Sequence, residues 1–134
     1  MARLQPPPCP CGAGPLDACC GPLLDGLRAA ASAEALMRSR YAAYALGRSA
    51  YLLATWHPDT RPASLTLEPG LRWIGLQVEA SEISEPDRAI VRFTARYRLG
   101  GRAARLSETS RFTRIDGRWY YVDGDVDDPA PSSR

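Results

Sequence analysis

Lysine is missing from this sequence: all 17 basic residues among its 134 are arginine. Set against 15 acidic residues they leave a net charge of +2, so no global field demands a nucleic-acid or membrane partner. With abundant Ala, Gly and Pro, an arginine-only basic set reads as GC-rich codon usage rather than function. Long apolar runs are missing too, and none approaches the roughly 18 residues a membrane span needs. The first residues, Met-Ala-Arg-Leu-Gln-Pro-Pro-Pro, hold no apolar signal core, so the expectation is a cytoplasmic protein. No serine sits in a nucleophile-elbow motif, and glycine-rich phosphate loops are absent. The run from Asp123 through Asp125 to Asp127 lacks the glycine and the glutamate of a calcium loop, which excludes that site.

What is present is ordinary for a globular chain. Hydrophobic residues make up 45% and charged ones 24%, which excludes wholesale disorder, a collagen-like repeat and a coiled coil. The length predicts one domain with at most a small appendage.

The 4 cysteines are all confined to the stretch from Cys9 to Cys20. They read Cys9-Pro-Cys11, then seven residues, then Cys19-Cys20-Gly21. A disulfide scaffold would spread its cysteines to close long loops, and adjacent Cys19 and Cys20 would pair only under strain. A single tetrahedral metal site accounts for the clustering better. Four thiolates at short spacing suit Zn²⁺, which binds soft sulfur at about 2.3 Å. With every ligand supplied by the protein the site is closed, hence structural, and it would let a segment too small for its own core fold. Free thiols or a redox pair are the plainer alternative. Four thiolates with one Zn²⁺ contribute a charge of −2, bringing the net charge near zero.

The rest of the chain predicts an α+β layer fold. Residues 22–31 read as a linker or irregular turn. Ser32 is a good N-cap for a helix over 33–46, with Met37, Tyr41, Tyr44 and Ala45 along one stripe and Gly47 as its stop. Ser49 is placed to cap a second helix over about 50–57 carrying Leu52, Leu53 and Trp56, ended by Pro58. Residues 59–72 read as a loop. From Trp73 the period changes to two, predicting strands at 73–84, 89–99, 102–115 and 118–126. Gly100-Gly101 and Asp116-Gly117 are hairpin turns between the last three. Polar residues 127–134 read as a loose tail.

The two tight turns imply a register. Tyr97 would face Ala104, Ala95 would face Leu106, and Phe93 would face Glu108. Across the second turn Arg114 would face Trp119, Phe112 would face Tyr121, and Ser110 would face Asp123. Two carboxylates and a hydroxyl, Glu108, Asp123 and Ser110, then sit on the face the helices should cover, where they are costly unless paired. Either this face opens into a polar-floored pocket, or Glu108 bonds Tyr41 or Tyr44 and fixes helix on sheet. The pocket candidates are Tyr41, Trp56, Phe93 and Glu108, with Ser110, Trp119, Tyr121 and Asp123. The opposite face collects Arg92, Arg96, Arg98, Arg105, Arg111 and Arg118. Tyr120 is the one aromatic expected among them, which argues against stacking on RNA and for a solvated surface. His57, the sole histidine, ends the second helix, where it can pack, cap or act as an acid–base group.

The cysteine stretch from Cys9 to Gly21 resembles the SEC-C motif, a small zinc-binding module. The stretch AEALMRSRYAAYALGRSAYLLATWHP at 33–58, WIGLQV at 73–78 and SETSRFTRIDGRWYYVDGD at 107–125 resemble the YchJ-like family of bacterial proteins. The resemblance implies a SEC-C segment over 1–28, a domain over 29–128 similar to nuclear transport factor 2 (NTF2-like), and a flexible tail over 129–134. It implies helices packed into a curved antiparallel sheet of four or more strands, and zinc at Cys9, Cys11, Cys19 and Cys20. The gap between Cys11 and Cys19 is one residue shorter than the usual motif, and Pro15-Leu16-Asp17-Ala18 stands where the motif carries lysines and an aromatic. SEC-C modules are linked to docking on protein partners. The expectation is a non-enzymatic protein with a structural Zn²⁺, a protein-docking surface, and a pocket for a small molecule or peptide. The alternative is a small proton-transfer enzyme of the isomerase or dehydratase type, with Glu108 or Asp123 as base and His57 as acid.

Overall fold

A computed structural model describes residues 7–126, so the expected tail over 127–134 lies outside the described residues. One 3-10 turn, three α-helices and four strands run in the order η1 (Leu16–Ala18, the 3-10 turn), α1 (Gly21–Leu24), α2 (Ala33–Leu46), α3 (Ser49–Ala54), β1 (Leu71–Glu85), β2 (Arg88–Leu99), β3 (Arg102–Ile115) and β4 (Arg118–Val126). The strands form one antiparallel sheet in the order β1-β2-β3-β4. This is the predicted meander.

Local chemistry accounts for most boundaries. The Ser32 hydroxyl accepts the Ala35 N–H at 3.0 Å and starts α2, and Gly47 ends it in the left-handed conformation at φ 76°. The stretch expected to be irregular instead begins with α1, where Pro22 occupies the first turn and its missing N–H costs no helical bond. Helix α3 departs from expectation at both ends. Ser49 is its first residue rather than its cap, and it stops at Ala54, before Trp56. The chain leaves the helix there to pair with the edge of β4. His57 N–H donates to the Tyr121 carbonyl at 2.7 Å, and Tyr121 N–H donates to the Thr55 carbonyl at 2.9 Å. An edge strand offers unpaired backbone groups, and this segment satisfies them.

Helix α2 lies across the sheet, touching β1, β2 and β4. Its small residues Ala42 and Ala43 are fully buried, which brings its backbone close. Beneath it lie Val91, Phe93, Ala95 and Phe112 from alternate positions of β2 and β3. The Ser39 hydroxyl, also fully buried, bonds the Leu36 carbonyl at 2.8 Å and the Tyr51 hydroxyl at 2.7 Å, tying α2 to α3. Strand β1 shifts register at three places, between Trp73 and Gly75, Val78 and Ala80, and Ile83 and Glu85. Such bulges bend and twist a strand, which curves the sheet around α2.

The β2–β3 register is the one expected, with Phe93 opposite Glu108 and Arg96 opposite Arg105. The β3–β4 register is corrected. Phe112 pairs with Tyr121, but a bulge follows, so Ser110 pairs with Gly124 and Asp123 pairs with Arg111. One extra residue on β4 reverses the faces beyond it. Asp123 therefore belongs to the outer face, not the helix-covered one. There Arg111 donates to Asp123 at 2.6 Å and to Asp125 at 2.9 Å.

Candidate functional site

Two constellations stand out, and α2 contributes to both.

The first is the cysteine cluster. Cys9 N–H donates to the Gly14 carbonyl at 2.7 Å, and Gly12 N–H donates to the Cys9 carbonyl at 2.9 Å, folding the stretch into a tight knuckle. Gly12 sits at φ 87°, a conformation that side chains disfavour. The second pair, Cys19 and Cys20, follows the 3-10 turn. A Cβ on Gly21 would lie 2.7 Å from the Leu16 carbonyl oxygen, so only glycine lets the chain double back here. All four sulfur atoms lie within 4.8 Å of one another. The sulfur–sulfur separations are 3.5 Å for Cys11–Cys19, 3.7 Å for Cys11–Cys20 and 3.9 Å for Cys19–Cys20. A tetrahedron of sulfurs about 2.3 Å from a central metal ion has edges of about 3.8 Å. The donor set fits a metal ion despite the shortened gap.

Electrostatics points the same way. Hydrogen bonding from Cys20 lowers the Cys11 thiol pKa to about 4, against the opposing effect of burial. Burial raises Cys19 to about 11, and the neighbouring Cys11 raises Cys20 further. Burial and neighbouring thiols thus oppose ionisation of Cys19 and Cys20, and a divalent cation is what permits four thiolates. Cys9, Cys11 and Cys20 are buried within the same apolar cluster as Leu36 and Met37 of α2. Arg38 of α2 bonds Glu34 at 3.0 Å and reaches the Cys11 carbonyl at 3.4 Å, while Arg48 bonds the Leu24 carbonyl at 3.0 Å. The cysteine segment is part of the packing of α2.

The second constellation is a cavity of about 240 Å³ between α2 and the sheet. Aromatic rings form much of its wall. Trp73 meets Tyr41 edge-on at 5.8 Å between centroids and lies 6.2 Å from Tyr44. Phe93 and Phe112 contribute from the sheet. Glu108 and Ser110 bring polarity to this wall. The Ser110 hydroxyl donates to Glu108 Oε2 at 2.6 Å, and the Tyr121 hydroxyl donates to the same oxygen at 3.3 Å. Burial, then the Glu108 charge, pushes the Tyr121 pKa up, so its hydroxyl stays a donor. The expected bond from Glu108 to Tyr41 or Tyr44 is replaced by these two.

Of the predicted pocket residues, the structure brings Tyr41, Phe93, Glu108, Ser110 and Tyr121 to this cavity. Trp56 stands behind it, edge-on to Tyr121 at 5.2 Å. Trp119 lines a different, smaller cavity of about 180 Å³ with Leu36 and Tyr51. Asp123 is on the outer face, as the bulge requires. His57 lies in the turn after α3, where Nδ1 accepts the Asp59 N–H at 3.0 Å, and it does not line the cavity. The three-residue catalytic set imagined from sequence is therefore not assembled; Glu108 alone of the three faces the cavity.

Sequence reasoning missed Arg40. It lies three residues after Met37 and four before Tyr44, so the helical stripe itself places it on the cavity wall. Its Nη1 donates to the Leu52 carbonyl at 2.8 Å and to the Thr55 hydroxyl at 2.7 Å. Its guanidinium stacks 5.0 Å from the Trp56 ring and 4.6 Å from the Tyr121 ring.

The comparisons agree with this architecture. Residues 32–124 match the family model for the middle NTF2-like domain of YchJ. A UPF0225 protein of Methylibium petroleiphilum is 52% identical over 129 residues, covering 96% of this chain and 95% of the relative. One from Streptomyces coelicolor is 50% identical over 122 residues, covering 89% of this chain and 95% of that protein. The solution structure of a SEC-C motif containing protein from Rhodopseudomonas palustris superimposes with a TM-score of 0.80 at 40% identity, covering 88% of this chain and 97% of that one. The crystal structure of a SEC-C motif containing protein from Psychrobacter arcticus gives 0.76 at 27% identity, covering 96% and 84%. By fold, cysteine cluster and sequence, the chain belongs to the YchJ-like (UPF0225) family, an NTF2-like domain with an N-terminal SEC-C-type cysteine cluster.

Proposed function

We propose that this protein is a zinc-stabilised, non-enzymatic binding protein of the bacterial cytoplasm whose NTF2-like cavity holds a small molecule. One observation carries the reading. The cavity is lined by aromatic rings and closed at one side by a carboxylate whose position is held by two hydroxyls. Binding sites for small molecules have this composition: apolar walls with a few placed polar groups. Zinc is the metal that four thiolates in a closed tetrahedral set favour, and its role is structural because no coordination position remains open. It would hold the N-terminal segment against α2, leaving that segment's outer surface free to dock on a protein partner. The outer arginine face is read as solvated rather than as a nucleic-acid surface, since Tyr120 is the aromatic that projects among its charges. Among the described residues no helix is long and apolar enough to cross a membrane.

Native mass spectrometry of protein purified gently from bacteria tests both halves. The expected spectrum shows one zinc per chain and a retained organic adduct of a few hundred daltons. Zinc without any adduct, combined with no binding in a small-molecule screen, would remove the cavity from the function. Absence of zinc with all four thiols reactive would remove the metal reading. The docking role has its own test: if Cys19→Ser abolished metal binding yet left affinity for a captured protein partner intact, zinc-dependent docking would be wrong.

A second reading is proton-transfer catalysis by Glu108. It is favoured by the placement of this carboxylate inside an apolar cavity beside the Ser110 and Tyr121 hydroxyls. Once the ligand is known, Glu108→Gln separates the readings: catalysis predicts turnover that this variant abolishes, whereas a binding protein shows none in either form.

A further inference from the structure

Arg40 is only 5% exposed, yet among the described residues its hydrogen bonds include none to a carboxylate. Its Nη1 contacts are a carbonyl and a hydroxyl, and its faces lie against Trp56 and Tyr121. These interactions solvate a guanidinium without neutralising it. Among the described residues no carboxylate oxygen lies within 4.0 Å of its nitrogens. Burial lowers its pKa, against smaller opposing effects from Tyr44, Tyr121, Tyr51 and the charge of Glu108. Arginine nevertheless remains charged at neutral pH.

Glu108 lines the same cavity with the opposite charge. The two do not meet because Tyr121 stands between them. Its ring lies under the Arg40 guanidinium at 4.6 Å, and its hydroxyl bonds Glu108 Oε2 at 3.3 Å. Two opposite charges are thus held apart across one tyrosine side chain, both facing an aromatic-walled space of about 240 Å³. The cavity wall thus carries one cationic and one anionic side chain that are not bonded to each other.

We propose that the cavity takes a compact zwitterion of the amino-acid type. A carboxylate of the ligand meets Arg40, an ammonium group meets Glu108, and an aromatic or branched apolar body packs against Tyr41, Tyr44 and Trp73. Arg40 supplies charge-assisted donors suited to a carboxylate. The ring walls favour an ammonium group as well as an apolar body. This rests on the cavity being a ligand site, and adds which ligand chemistry it selects.

Four probes of one skeleton test it by calorimetry on the full chain: phenylalanine, 3-phenylpropanoate, 2-phenylethylamine and 3-phenylpropan-1-ol. Phenylalanine is expected to bind at least 10-fold more tightly than either singly charged analogue, and the alcohol more weakly still. Glu108→Gln, which keeps shape and removes charge, is expected to weaken phenylalanine 10-fold or more while leaving 3-phenylpropanoate unchanged or tighter. Equal binding of the alcohol and phenylalanine would overturn the charge assignment and leave the cavity reading standing. Equal binding of 3-phenylpropanoate and phenylalanine would overturn the role of Glu108. No binding by any of the four would overturn the proposal, while the cavity reading is decided separately by the native spectrum and the small-molecule screen. A thermal melt of Glu108→Gln confirms that the variant compared is folded.

Discussion

The carboxyl group of Glu108 occupies the place where Gly124 would carry a side chain. A Cβ built on Gly124 would contact Glu108 Oε2 directly and lie 2.8 Å from its carboxyl carbon. The two residues are on neighbouring strands, with Gly124 opposite Ser110. Gly124 does not have a positive φ, so its role is space for the carboxylate rather than backbone freedom.

Gly124→Ala is therefore expected to expel Glu108 from its seat and break its bonds to Ser110 and Tyr121. The cost is expected at about 1–3 kcal/mol, typical of overpacking. Urea unfolding measures it, and ligand binding to the cavity should fall in parallel. A variant as stable as the parent with Glu108 unmoved in its crystal structure would disprove the relationship.

Metal removal should loosen more than the N-terminal segment, because Cys9, Cys11 and Cys20 share one apolar cluster with α2. Cys20→Ser, or extraction with a strong chelator, is expected to cost about 3 kcal/mol or more and to lower Tm by on the order of 10 °C. Elemental analysis should show metal lost in proportion. An unchanged Tm after complete metal loss would contradict a structural site.

Replacing Arg40 separates its stem from its charge. Arg40→Met keeps most of the packing but leaves the Leu52 carbonyl and Thr55 hydroxyl short of a donor. It is expected to cost about 1–2 kcal/mol. Arg40→Ala also opens a void beside Trp56 and Tyr121 and is expected to cost about 3 kcal/mol or more. Equal costs for the two in denaturant unfolding would show that packing of the stem contributes nothing.

On the outer face, Arg111 holds the pKa of Asp125 below its ordinary value of 3.8. A carboxylate depressed in the folded state stabilises the fold above the unfolded pKa, and that contribution fades as pH falls through the lower folded value. Asp125 is fully exposed, so the gain is small and screened by salt. Arg111→Gln should raise the Asp125 pKa in a carbon-13 NMR titration. No movement would mean that the ion pair is not populated in solution.

Most of the fold was legible because it rests on local signals. Ser32 and Gly47 mark α2 by their side-chain and backbone chemistry, and the alternation of Val91, Phe93 and Ala95 with Arg92, Thr94 and Arg96 marks β2. The cysteine cluster was legible for the same reason: its four members are close in sequence, so spacing alone reveals them. The end of α3 was not, because Trp56 leaves the helix for the edge of β4, a partner some sixty residues away that no local pattern announces.

The amino-acid sequence by itself determined the order of α2, α3 and the four strands, the two hairpin turns, the cysteine cluster and the Phe93–Glu108 pairing, since each depends on neighbours along the chain or on one tight turn. Tertiary structure alone decided which charges share the cavity. A single bulge on β4 carried Asp123 to the outer face and set Gly124 beneath Glu108. Packing of α2 on the sheet then buried Arg40 against Tyr121. A one-residue shift costs little locally yet reverses every side chain beyond it, so the face a residue occupies is a property of the assembled sheet.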